Sequence, residues 1–134
     1  VADEPLTSFD EVRPDARSLE DCLQVPDGAA IHNHFAAVVD RNAARFLAVE
    51  YDGRRVGTAI FTYLPEESAL VCNVLSCEAI EGANFADHMA IFAEGWGKRI
   101  GAHVLRFWTE RAGLVRLMDR QGYTIKHVGE KFIG

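Results

Sequence analysis

The pattern that most narrows the fold lies between residues 70 and 108. Leu70–Ser76 reads as an apolar strand, Phe85–Ile100 as an amphipathic helix, and His103–Trp108 as a second strand. Two strands joined through a helix run parallel in one sheet, and such a crossover is right-handed in nearly all proteins. The chain therefore builds a sheet with a parallel pair and a helix on its face. Between the first strand and the helix lies the small-residue loop Gly82-Ala83-Asn84. A loop of this kind delivers the chain to a helix N-terminus, where free amide N–H groups converge and anions bind. Glu78 and Glu81 lie in the same stretch and oppose an anion there.

The residues downstream continue the pattern. Ala112–Gln121 reads as a second helix that buries Leu114, Leu117 and Met118 and exposes Arg116 and Arg120 on one face. Gly122 suits the left-handed position that ends a helix. Tyr123–Lys131 then closes the sheet as an antiparallel strand.

Upstream, Ser8–Pro14 reads as a short edge strand. Asp15–Val25 follows as a helix with Leu19, Cys22 and Leu23 at the spacing of a buried stripe. Pro26-Asp27-Gly28 interrupts it, with Asp27 as N-cap of a helix over Ala29–Arg41 whose Ile31, Phe35 and Val38 share a face. Arg45–Tyr51 and Val56–Tyr63 are strands, and Asp52-Gly53 between them is the strongest hairpin signal in the chain. These strands are apolar on both faces, as expected where helices cover both sides of a sheet. On the long helix, Phe85, Met89, Phe92, Trp96 and Ile100 form one stripe that reads as core, while Gly95 and Gly97 mark close packing or an early end. The expected order is β-α-α-β-β-β-α-β-α-β, a single α/β domain with a mixed sheet over residues 1–134.

Composition excludes several functions. The net charge of -6 argues against general nucleic-acid binding, which depends on Lys and Arg. Acids dominate from Asp3 to Asp27, whereas Lys and Arg dominate from Lys98 onward; solvated faces account for such asymmetry, and the sharper reading is a basic C-terminal half that meets a polyanionic small molecule. No apolar run reaches the length of a membrane span, and the acidic opening does not read as a signal peptide. Three widely spaced cysteines, Cys22, Cys72 and Cys77, suggest a reduced, cytoplasmic protein without a disulfide framework.

Few residues stand out as chemistry on their own. His32 and His34 are two apart on a helix and point to different sides, and His88, His103 and His127 lack acidic or thiol neighbours at ligand spacing. No metal site is expected. Cys77, at a strand end, has no supporting nucleophile motif. A base for an amine would be a carboxylate near the ends of the two central strands, and Glu78 and Glu110 stand there.

Glu11–Cys22 (EVRPDARSLEDC) resembles the first strand and first helix of the GNAT N-acetyltransferase superfamily. Ala112–Phe132 (AGLVRLMDRQGYTIKHVGEKF) is similar to its last helix, Gly-aromatic turn and final strand, and the element order matches over nearly the whole chain. The resemblance implies that the two parallel strands splay at their C-terminal ends and take acetyl-CoA. Pantetheine would pair with backbone groups of Val74, Leu75 and Ser76, and the pyrophosphate would rest on Gly82, Ala83 and Asn84. The chain departs from the family in two places. Glu78 and Glu81 stand in a loop where the family has Gln or Arg before Gly-x-Gly, and Met118 stands where a tyrosine commonly protonates the leaving thiolate. Arg111, Arg116 or Arg120 would then supply the missing positive charge, and water or another residue the proton.

Two functions follow as expectations. One is an acyl-CoA-dependent N-acetyltransferase in which a small-molecule or peptide amine attacks the thioester directly. The other is a catalytically silent binding or assembly module of the same fold, conceivably homo-oligomeric. Small virion proteins of short-tailed phages resemble the family in the same way, so a phage origin would favour the second.

Overall fold

The computed structural model describes residues 7–41 and 44–107. In chain order these form β1 (Thr7–Val12), α1 (Ala16–Cys22), α2 (Gly28–Ala36), β2 (Ala44–Tyr51), β3 (Arg54–Leu64), β4 (Ala69–Cys77), α3 (Phe85–Ile100) and β5 (Val104–Phe107). Short 3-10 turns stand at Val39–Arg41 and Pro65–Glu67. The sheet runs β1-β2-β3-β4-β5 in space. The first four strands are antiparallel neighbours, and β5 lies parallel to β4. The architecture is thus α/β with one mixed sheet, in the order expected up to β5. The helix and strand expected over 112–121 and 123–131 lie outside the described residues.

Local chemistry explains most element ends. Asp52 and Gly53 take φ of 53° and 78°, the left-handed pair that a two-residue hairpin needs, and Tyr51 pairs with Arg54 across the turn. Asp15 rather than a later residue caps α1: its Oδ1 accepts from the Ser18 amide at 2.8 Å, and Ser18 Oγ accepts from the Asp15 amide at 2.9 Å. This reciprocal pair satisfies two amides that a helix start leaves open. Asp27 does hold the N-cap position of α2, but with φ 57° and no side-chain cap bond, so it turns the chain instead of capping. α2 ends at Ala36, short of the expected Arg41, and the last residues of that stretch form the 3-10 turn.

Each face of the sheet carries its own core. On one side α3 covers Leu47, Val49, Ala59, Phe61, Leu70 and Cys72 with Met89 and Ala93, and Phe85, Phe92 and Trp96 pack against them. On the other, α1 and α2 cover Phe46, Ile60 and Val74 with Cys22, Ile31 and Phe35. Two expected core residues fall outside: Leu23 is 58% exposed past the end of α1, and Ile100 is 40% exposed in the last turn of α3. Both sit where the helix has already left the sheet. Gly95 and Gly97 neither end α3 early nor meet a crowded neighbour. A Cβ on Gly97 would lie at ordinary contact distance, 3.6 Å from Ala102 and 3.8 Å from Leu70.

Two β-bulges interrupt the alternation. Val56 is the extra residue opposite β2, since Val49 pairs with Gly57 and Glu50 with Arg55. Asn73 is the extra residue opposite β3, since Phe61 pairs with Cys72 and Ile60 with Val74. Cys72 and Val74 are two apart and would share a face in a regular strand. The bulge sends Cys72 to the α3 side and Val74 to the α1–α2 side.

Candidate functional site

The C-terminal half of β4 and the loop after it converge on one end of the sheet. β4 pairs with β3 along its whole length, but β5 pairs only with Ala69–Cys72. The described part of β5 ends at Phe107, opposite Cys72, so among the described residues no strand pairs with Asn73–Cys77 on that side. Within this segment Val74 is buried against α1–α2, and Leu75 packs toward α3. Ser76 is 2% exposed, and its hydroxyl donates to the Asp21 carbonyl at 2.7 Å. The Ser76 side chain is thereby spent on holding α1, which leaves the backbone as what it can offer a ligand.

The loop that follows enters α3 through two left-handed residues. Gly82 and Asn84 take φ of 78° and 52°, with the buried Ala83 between them. Asn84 is thus a left-handed residue at a position where glycine is otherwise favoured, and asparagine tolerates that conformation better than most side chains. It precedes α3 without making a side-chain cap bond, so the cap leaves the first-turn amides uncovered. The sixteen residues of α3 aim the positive end of the helix dipole at this loop. Against that, Glu81 is exposed in the loop and Asp87 lies in the first turn.

Glu78 has a setting that its sequence neighbours do not disclose. It bonds Arg54 at 2.7 Å, and Arg17 of α1 approaches it to 3.8 Å. Arg17 also donates to Asp21 Oδ1 at 2.9 Å, while Asp21 Oδ2 accepts from the fully buried Thr58 hydroxyl at 2.7 Å. A connected set of charges therefore ties α1 to the ends of β3 and β4, with Glu78 at its outer end. Its charge is offset by two guanidinium groups, so Glu78 opposes an anion at the loop less than its bare charge suggests. The same pairing engages the Glu78 carboxylate, one of the two expected as a base. Glu110, Arg111, Arg116, Arg120 and Met118 lie outside the described residues.

The remaining candidates have structural surroundings. Cys22 is buried, and its thiol is pushed up to about 11 by burial and by the neighbouring Asp21 charge. Cys72 is buried and its thiol is raised further, chiefly by burial. Cys77 is half-buried with its sulfur over Gly57. His32 is buried and lies 2.7 Å from Ser18 Oγ, whereas His34 is exposed, so the two do point apart. His88 meets Thr7 Oγ1 at 2.9 Å and joins α3 to β1. Sequence reasoning missed Asn73, Arg17 and Arg54. The lone polar side chain inside the run Leu70–Leu75 was the available signal for Asn73; the two arginines are recognisable only through the pairing that brings them to Glu78.

No family model matches the sequence, and no curated protein matches it. Solved structures do match by shape. A predicted acetyltransferase from Clostridium acetobutylicum, crystallised with acetyl-CoA, superposes with a TM-score of 0.71 over 95% of this chain and 96% of its own, at 9% identity. The ribosomal-protein-alanine N-acetyltransferase of Brucella melitensis superposes at 0.64 over 96% and 99%, at 18% identity. A protein from Desulfovibrio desulfuricans assigned to the GNAT acetyltransferases does so at 0.65 over 90% and 87%, at 15% identity. Similarity this low in sequence and this complete in shape speaks for architecture, and this chain has the GNAT fold.

Proposed function

We propose that this protein is a divergent acyl-CoA-dependent N-acyltransferase. The observation that carries the reading is the unit of β4, loop and α3 in a GNAT fold, where the strand leads into an uncapped helix start through two left-handed residues. Pantetheine is itself an amide chain, and an open strand edge recognises it as it would an added strand. Val74, Leu75 and Ser76 would hold it through their backbone, and Gly82, Ala83 and Asn84 would present amides to the pyrophosphate. The group fits in shape, while Glu81 and Asp87 oppose it in charge. Arg111, Arg116 and Arg120 remain the proposed source of compensating charge.

Acetyl-CoA would supply an activated thioester: the amine nitrogen bonds to the carbonyl carbon, the C–S bond breaks, and the CoA thiolate leaves and takes a proton from water or another residue, while the amine's surplus proton goes to a base. The chain must then accept a proton from the amine. Glu110 stays a proposed base, and Glu78 would serve only after release from Arg54. A small-molecule or peptide amine in the cytoplasm is the proposed substrate. Among the described residues no helix is long and apolar enough to cross a membrane.

The loop acids favour a second reading, a silent module that keeps the fold for binding or assembly. Thermal denaturation with acetyl-CoA separates the two. A bound ligand at 100 times its dissociation constant stabilises a fold by ~2.7 kcal/mol. An upward shift that saturates supports the acyltransferase; an unchanged melting curve at millimolar acetyl-CoA refutes it.

A further inference from the structure

We propose that Asn73 is the residue that receives the attacking amine, its side-chain oxygen accepting a hydrogen bond from the nucleophilic nitrogen. This rests on the acyltransferase reading and adds the acceptor side of that site. Asn73 is the bulged residue of β4 and the first residue past the last described pairing with β5. It thus stands immediately before Val74–Ser76, the segment proposed to hold pantetheine.

Its amide has a defined orientation. Nδ2 lies 3.0 Å from Thr62 Oγ1 and 3.4 Å from the Val71 carbonyl. A hydroxyl can accept or donate, but a carbonyl only accepts, so the nitrogen must face this pair and the oxygen must face away. Among the described residues no hydrogen bond is made to Oδ1. Asn73 is half-buried, and Oδ1 is not among the buried, unpartnered side-chain polar atoms of those residues. β4 has one other polar side chain past its β5 pairing and ahead of Cys77, Ser76, and that hydroxyl is already bonded to Asp21. The bulge therefore presents one oriented acceptor just ahead of Val74–Ser76. An attacking amine carries N–H donors, and an acceptor held beside the thioester aligns its lone pair with the carbonyl.

The register also places a cation, already paired, near this row. Thr62, Val71 and Arg106 are successive partners across β3, β4 and β5. Arg106 is bonded to Glu67 at 3.0 Å, which keeps an ion pair rather than a bare cation along this row. An amine approaching Asn73 consequently meets an acceptor oxygen without unbalanced positive charge from Arg106.

The test uses CoA release from acetyl-CoA with three primary amines: a peptide with a free N-terminus, lysine and spermidine. Asn73→Leu keeps the size and removes the acceptor. It is expected to lower kcat/KM for the best amine at least tenfold while the Kd for acetyl-CoA stays within twofold, and Asn73→Asp, which retains an acceptor, should recover most of the loss. Thr62→Val releases the tether from a different strand and should lower kcat/KM several-fold, which keeps the proposal testable if the leucine variant does not fold. Wild-type kinetics in Asn73→Leu, or in Thr62→Val where the leucine variant does not fold, would overturn the assignment to Asn73 and leave the acyltransferase standing. A wild type that binds acetyl-CoA but acts on none of the three amines also overturns the assignment. Failure of the wild type to bind acetyl-CoA overturns both.

Discussion

Gly57→Ala offers a sharp test of how β3 and β4 meet beneath the candidate site. Gly57 pairs with Cys77 at the point where β4 ends and the loop begins. A Cβ built on it lies 2.3 Å from the Ser76 carbonyl oxygen, 2.7 Å from Cys77 Sγ and 2.8 Å from Cys77 Cα. Ordinary contact begins at 3.4 Å, so the methyl group is about 1 Å too close to backbone. A side chain can rotate away from such a clash, but paired strands can only shift, and overpacking of this kind costs roughly 1–3 kcal/mol. Urea denaturation of wild type and variant reads this directly, as a lower midpoint at an unchanged slope. Gly95→Ala is the control, because its Cβ would touch only Arg99 Nη1 at 3.9 Å. There the helix gains about 1 kcal/mol from losing an interior glycine. The two substitutions are the same in chemistry and opposite in sign. A Gly57→Ala protein within about 0.5 kcal/mol of wild type would refute the register and close approach drawn here.

Three further outcomes are expected. Ser18→Ala removes the α1 capping box and leaves the buried His32 Nε2 without its partner at 2.7 Å, so stability should fall by roughly 1–3 kcal/mol in the same denaturation assay. Asp15→Asn should flatten the acid limb of the stability profile. Desolvation raises the Asp15 pKa, but its bonds to the Ser18 amide and Arg55 outweigh that and hold it below 3.8. The folded form thus gains stability that is fully present above pH 3.8 and lost as pH falls through the lower folded value. An unaltered acid limb in Asp15→Asn would contradict this. Glu81→Gln should tighten acetyl-CoA binding by roughly fivefold in calorimetry, the equivalent of removing a like-charge contact of ~1 kcal/mol. Unchanged affinity would mean that Glu81 does not face the phosphates.

Local signals in the sequence were enough for the element order from β1 to β5, the Asp52-Gly53 hairpin, the parallel pair and most of the α3 stripe. These depend on turn conformation and on periods of two and 3.6 residues, which act between residues near in sequence. The same signals placed a small-residue loop at the start of α3, though not the left-handed Asn84 that lets the loop keep its shape. Tertiary structure alone decided the rest. The bulge at Asn73 is a mismatch in count between two strands, so it exists only once β3 and β4 are in register. Glu78 reads as a loop acid beside a phosphate cradle until Arg54 and Arg17 are brought to it from a hairpin and a helix. Nothing near Ser76 in sequence shows that its hydroxyl is engaged until Asp21, 55 residues earlier, is brought to it. Charge compensation and side-chain direction depend on which segments meet, and that is set by the packing of the whole sheet rather than by any stretch of it.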